Sequence, residues 1–264
     1  MNLLLQNKTA FISGSTAGIG FSIAKILLVE GVSVIINGRT KERIQEAISK
    51  LQNAVPEGKI SGIRADFSKK EEVQFLLKQL PPIDILINNV GIFSAQSFEE
   101  TTDEDWLSHF EVNVMSGVRL SRYCLPRMLD KNWGRILFIS SECATLVPDD
   151  LIAYSMTKAA LLPISRGLAQ LTKGTEVTVN TLIPGSTFSE GAQRFLEGVA
   201  SREQKTVKEI ESEFFTEVRT SSLLQRFATV EEVASMATYL VSPLAVATNG
   251  AAVKVDGGSM GGIL

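Results

Sequence analysis

Two hydrophobic rhythms alternate along this chain. Short apolar runs, most of them β-branched, at 9–13, 32–36, 83–87, 135–139 and 177–183 read as strands buried on both faces, with further strands at 60–64 and 251–255. Between them, apolar residues recur with helical spacing over 20–30, 41–52, 71–80, 103–130, 152–172 and 230–241. Thr102 and Thr229, each followed three residues later by an acid, mark helix starts. This alternation predicts a doubly wound α/β fold. It would hold a seven-stranded, mostly parallel sheet with right-handed crossovers and helices on both faces. No repeat, low-complexity linker or shift in composition divides the chain, so residues 1–264 are expected to form one domain.

The stretch 185–222 breaks the rhythm, being long, polar and rich in Glu, Ser and Thr. It follows the sixth strand at the end where open α/β sheets collect ligands, and reads as a substrate-binding lid with short helices of its own. Pro163 falls inside the predicted helix 152–172 and implies a kink just beyond Lys158.

Composition narrows the function by exclusion. The chain has 264 residues and a formal net charge of -3, without the basic footprint of a nucleic-acid binder or a polybasic membrane patch. It has 1 His and 2 Cys, and Cys124 and Cys143 lack paired ligand spacing, so no metal site is expected. Cys143 reads as a small packed hydrophobe and His109 as a surface or interface residue. No apolar run approaches the roughly 18 residues needed to cross a bilayer, and the first apolar run is too short for a signal peptide. A soluble protein of a reducing compartment, the cytoplasm, is the expectation.

Gly14, Gly18 and Gly20 directly follow the first strand and open the first helix. Glycine is needed where the chain turns sharply and brings backbone N–H groups close to a pyrophosphate, which the helix N-terminus also favours. The spacing is Gly-x-x-x-Gly-x-Gly rather than Gly-x-Gly-x-x-Gly, and its strand–turn–helix setting points to a dinucleotide. At the end of the second strand, Asn37-Gly38-Arg39 stands where an NAD site carries an acid. Arg39 can pair with a 2′-phosphate and Gly38 leaves room for one, so NADP(H) is expected over NAD(H). Tyr154 and Lys158 stand four apart, on one helix face, where a nearby cation favours phenolate and makes the hydroxyl an acid/base near neutral pH. Ser141 lies at the carboxyl end of the fifth strand. Ser140 competes with it, and either hydroxyl can instead cap the loop.

With these residues in place, the whole chain resembles the single-domain branch of the short-chain dehydrogenase/reductase family and is similar in pattern to 3-oxoacyl-acyl-carrier-protein reductases. The glycine turn matches the family's, with Ser13 for its usual Thr. Asp66-Phe67 matches a pair that contacts adenine in the family, and Asn88-Asn89-Val90-Gly91 matches its Asn-Asn-Ala-Gly element. Asn113, Ser141, Tyr154 and Lys158 match the family's catalytic residues, and Pro184-Gly185 and Asp256-Gly257-Gly258 its later elements. The resemblance implies a Rossmann fold and a metal-free oxidoreductase moving hydride between NADP(H) and a carbonyl or secondary alcohol. Tyr154 would exchange a proton with the substrate oxygen, which Ser141 would hold. Lys158 would lower the Tyr154 pKa and bond the nicotinamide ribose, and Asn113 would support a water-linked relay. Cofactor contacts would include Ser15 and Ile19 within the turn, Asn89 and Gly91, Pro184 and Gly185, and Thr187, with Ser189 as its alternative. The family pairs the helices matching 103–130 and 152–172 across a two-fold axis, which implies a homotetramer, with the 260–264 tail either frayed or near a subunit contact. An acyl thioester, a steroid, a sugar or another small alcohol are the substrate classes left open. A dinucleotide sensor without catalysis, or a lyase, dehydratase or epimerase, is the competing class; the intact set of four argues against the sensor.

Overall fold

The computed structural model describes residues 2–262. The chain starts β1 (Thr9–Ile12), α1 (Gly18–Val29), β2 (Ser33–Gly38), α2 (Lys41–Ala54), β3 (Ile60–Arg64), α3 (Lys70–Gln79) and β4 (Ile85–Asn88). It continues through α4 (Asp103–His109), α5 (Ser116–Asp130), β5 (Gly134–Ile139), the short α6 (Cys143–Leu146), α7 (Ile152–Gln170) and β6 (Val177–Pro184). Then come β7 (Thr187–Phe188), α8 (Glu190–Glu203), α9 (Val207–Glu213), β8 (Ala228–Thr229), α10 (Val230–Leu240) and β9 (Ala252–Val255).

Seven strands form one sheet in the order β3-β2-β1-β4-β5-β6-β9, and every pairing in it is parallel. The continuous apolar runs are explained by the two cores they feed. Phe11, Ile35, Leu86, Ile136 and Phe138 pack on the side of α3, α5 and α7, while Ile12, Ile36, Ile87 and Leu137 pack on the side of α1, α2 and α10. Strand order reverses between β1 and β4, which opens a crevice at their carboxyl ends. Thr102 and Thr229 cap α4 and α10 with reciprocal capping boxes to Asp105 and Glu232, as their spacing predicts.

Some features depart from the sequence pattern. The helix expected over 103–130 is interrupted by a π turn at Phe110–Met115, which carries Asn113. The lid stretch is more built than a polar loop: Leu196, Ala200, Ile210 and Phe215 form a core of their own with Phe227, which lies beyond the expected bounds, and β7 pairs with β8 beside it. Pro163 lies inside α7 without ending it, and the helix runs on to Gln170. His109 is buried rather than on the surface, since its ring is held between the Asp105 carbonyl at 2.8 Å and the Ser94 hydroxyl at 3.4 Å. Met260 is buried, and residues 263–264 of the expected tail lie outside the described residues. No helix among the described residues is long and apolar enough to cross a membrane.

Candidate active site

The glycine turn is built by packing against its neighbours. Gly14 has φ +60° and a Cβ there would lie 3.0 Å from the Val90 Cα; at Gly20 it would meet the Asn89 side chain at 2.5 Å. Ser13 Oγ accepts from the N–H groups of Asn89 and Val90, and Asn89 Nδ2 donates to the carbonyls of Ser13 and Gly14, so turn and β4 end form one unit. Asn37 finishes the turn from the other side, its Oδ1 accepting from the Gly14 N–H at 3.0 Å. Helix α1 then starts with no side-chain cap and no acid in its first turn. Its first N–H groups, those of Gly18, Ile19 and Gly20, are left for an anion.

A cavity of about 380 Å³ extends from this turn across the carboxyl ends of β1, β2 and β4. Of the expected cofactor residues, Gly14, Arg39, Asp66, Phe67, Asn89 and Gly91 line it. Arg43, from the first turn of α2, lines it as well and was not read from the sequence. The spacing Arg39-x-x-x-Arg43 was the available signal. Burial pushes the Asp66 carboxyl up, but hydrogen bonds from Ser68 and the charges of Lys69 and Arg39 outweigh it and hold the group below its usual range. Phe67 is nearly all core. Ser15 departs from expectation. It is fully buried, with its N–H bonded to the Asn37 carbonyl and its hydroxyl shared between the Ile12 carbonyl and the Asn37 N–H, so its polar groups serve the turn. Nor is the side of Gly38 open, because a Cβ there would come within 2.6 Å of Thr16 Cγ2.

Gly91 joins this cavity to the second cluster, since a Cβ on it would lie 3.3 Å from Lys158 Nζ and 3.6 Å from Asn113 Oδ1. Asn113 clamps the loop after β4: its Oδ1 accepts from the Ile92 N–H at 2.7 Å and its Nδ2 donates to the Ile92 carbonyl at 2.9 Å. The same Nδ2 donates to Thr157 Oγ1 at 3.0 Å, which fastens the π turn to α7. The two serines differ in direction. Ser140 is buried and donates to the Lys158 carbonyl at 2.8 Å, whereas Ser141 is half-buried, accepts from the Cys143 N–H at 3.2 Å and pulls the Tyr154 pKa down.

Tyr154 and Lys158 share a face of α7, but their electrostatics differ from the expected pair. Lys158 is buried, its Nζ donates to the Ile139 carbonyl at 3.0 Å, and it stands 5.6 Å from the centre of the Tyr154 ring. Burial lowers its pKa to about 8. The Tyr154 phenol is raised, by burial first and by the nearby Cys143 and Glu142, against the hydrogen bond from Ser141. The lowered phenol pKa expected from the spacing is therefore not found in this state: Lys158 bonds to the strand end instead of the phenol. Burial likewise raises the Cys143 thiol, as fits a packed side chain. Phe93 covers the Tyr154 ring edge-on at 6.0 Å between centroids.

One further part of the site carries no sequence signal, and the expected Thr187 and Ser189 differ in what their hydroxyls bond. Glu142, next to Ser141, is buried, and its Oε1 accepts from Ser186 Oγ at 2.8 Å and Arg219 Nε at 2.9 Å. Thr187 Oγ1 donates to the Gly185 carbonyl at 2.8 Å and keeps its acceptor sites, while Ser189 Oγ is taken by the N-cap of α8. No group of three or more His, Cys, Asp and Glu side chains able to hold a metal ion occurs among the described residues.

The family model for short chain dehydrogenase matches residues 8–200. The chain belongs to the short-chain dehydrogenase family. It is an oxidoreductase of that family, similar along its whole length to several members. The uncharacterized oxidoreductase YvaG of Bacillus subtilis (strain 168) is 45% identical, covering 98% of each chain. The 3-oxoacyl-[acyl-carrier-protein] reductase FabG of Aquifex aeolicus (strain VF5) is 30% identical over 98% of this chain and 99% of its own. Among solved structures, L-sorbose reductase from Gluconobacter frateurii, complexed with NADPH and L-sorbose, superposes with a TM-score of 0.93 at 28% identity, covering 100% of both chains. The Rossmann-type sheet is common to this family and the chain.

Proposed function

We propose that the protein is an NADP(H)-dependent carbonyl reductase, reversible as a secondary-alcohol dehydrogenase, with Tyr154 as its general acid and base. The observation that carries the reading is the continuity of an uncapped helix N-terminus, an arginine-lined cavity and the Ser141–Tyr154–Lys158–Asn113 cluster, joined at Gly91. The residues fit a dinucleotide. The first turn of α1 would take the pyrophosphate, Arg39 and Arg43 the 2′-phosphate, and Asp66 with Phe67 the adenine. Asn89, Gly91, Lys158, Pro184, Gly185 and Thr187 would line the nicotinamide half.

A bound nicotinamide supplies the hydride. The chain's own residues do the rest. Ser141 and Tyr154 hold the carbonyl oxygen, and the raised phenol pKa keeps Tyr154 protonated at neutral pH, the form that can donate. Asn113, locked to Ile92 and Thr157, keeps the β4 loop and α7 in register. The 185–222 lid covers the substrate within what we take as one domain. Small carbonyl compounds are the substrates, 3-oxoacyl thioesters being one member of that class. A homotetramer is supported by exposed apolar residues on α4 and the π turn, and a cytoplasmic location by two buried free cysteines.

The test is a panel of 3-oxoacyl, steroid, sugar and quinone substrates with NADPH, repeated with Tyr154→Phe. The wild type should consume NADPH in a carbonyl-dependent way, and the variant should lose about 10²–10⁴ in kcat while still binding NADPH. Near-normal turnover by the variant would reassign the proton donor.

A further inference from the structure

Beside Ser141, the buried carboxylate of Glu142 is only half used. Its Oε1 takes both protein donors, Ser186 Oγ and Arg219 Nε, which come from the two ends of the lid. Its Oε2 is buried and has no hydrogen-bond partner. A carboxylate oxygen accepts and cannot donate, so it calls for a donor, and a substrate hydroxyl can supply one. Such a gap in a native interior calls for a physical reason. The carboxylate belongs to the residue directly after Ser141, and the bonds it accepts tie that position to both ends of the lid. Its charge is already matched by Arg219, which favours a neutral donor over a cation. Phe93 packs edge-on against Tyr154 on the side of the reacting groups.

We propose that Glu142 determines specificity, its Oε2 accepting the hydroxyl hydrogen of a substrate whose carbonyl lies at Ser141 and Tyr154. The site then prefers hydroxy ketones and ketoses to unsubstituted ketones and acyl thioesters. This rests on the carbonyl-reductase reading above. Ser186 and Arg219 hold the carboxylate from the two ends of the lid, so the lid and the substrate site meet at Glu142.

The test compares kcat/KM with NADPH for butan-2-one, 1-hydroxybutan-2-one, 4-hydroxybutan-2-one and the methyl ethers of the two hydroxy ketones. An ether keeps the oxygen but has no hydrogen to donate. The wild type should prefer at least one hydroxy ketone to its own ether by tenfold or more, because a site built around a substrate donor discriminates against its absence. Glu142→Gln keeps a carbonyl for Ser186 and Arg219 but presents an NH₂ group, which donates to alcohol and ether alike, so the preference should fall at least tenfold. A smaller wild-type preference, or a smaller fall in the variant, overturns the proposal. If the variant does not fold, the wild-type comparison alone decides. If all five ketones fail while other carbonyls are reduced in a Tyr154-dependent way, the proposal falls and the carbonyl-reductase reading stands; if no carbonyl is reduced, both fall.

Discussion

Lys158 is a cation that the fold has taken out of water, and its titration gives a measurable sign. Its folded pKa is lowered to about 8, whereas an unfolded lysine keeps its proton to about 10.4. Between those values the unfolded chain binds more protons than the native one, so native stability rises with pH across that window and the contribution is flat below it. Relative to Lys158→Met, the wild type should therefore gain roughly 3 kcal/mol between pH 8 and 10.5, at 1.36 kcal/mol per pKa unit. Urea unfolding of both proteins at pH 7.5 and pH 10 measures it, and equal pH slopes would refute the burial argument. On the cofactor side, Arg39→Ala and Arg43→Ala should each weaken NADPH and leave NADH nearly unchanged. A charge-assisted hydrogen bond of roughly 1.5–3 kcal/mol corresponds to about 10- to 150-fold. Titration of both reduced cofactors checks this, and equal dissociation constants in the wild type would remove the preference. Gly38→Asp is a poorer probe, because Thr16 must move to admit it. The legible residues were those whose role follows from local spacing: the glycines before α1, and Tyr154 with Lys158 on one face. Ser15, Glu142 and the Lys158 partner were not, because each makes a deciding bond far along the chain, to Asn37, to Arg219 and to Ile139.

Among the elements, strands and core helices were legible because each feeds one of two cores with a fixed period. Boundaries moved by a residue or two at most, as for β4 and α3. The π turn at Phe110–Met115 was not legible, since no Pro or Gly marks it and its cause is the tertiary clamp of Asn113 on Ile92 and Thr157. The lid was half legible: its length and place were read, but not its core, whose residues are spread from Leu196 to Phe227. Phe215 is the buried centre of that core, in edge contact with Phe214 and Phe227. Phe215→Ala should cost about 3–5 kcal/mol at the site, and because this cluster is separate from the two sheet cores the loss should be local. Hydrogen exchange should speed up over residues 190–218 with protection of β1, β4 and β5 retained, while KM rises more than kcat falls. Uniform loss of protection across the sheet would show that lid and sheet unfold as one unit.

At the scale of the whole molecule, α4 and the π turn after it carry exposed apolar side chains. Leu107 and Phe110 are 68% and 40% exposed and stand three residues apart, hence on one helix face. Phe98 precedes them at 61%. Acids in the first turn of α4 lie beside this patch, giving an apolar centre with a charged margin, the composition of a subunit contact rather than of a solvated face. Two copies related by a two-fold axis would bring the same residues together from both sides, and a second two-fold contact closes the tetramer. Sedimentation at micromolar concentration should therefore show a homotetramer. Leu107→Asp combined with Phe110→Asp places four carboxylates in each two-fold contact and should reduce the assembly to smaller species. Both side chains point away from the cores, so the monomer fold, read by far-ultraviolet circular dichroism, should persist. A wild type sedimenting as a stable monomer would overturn the assembly, and a double variant that remains tetrameric would move the contact to another face.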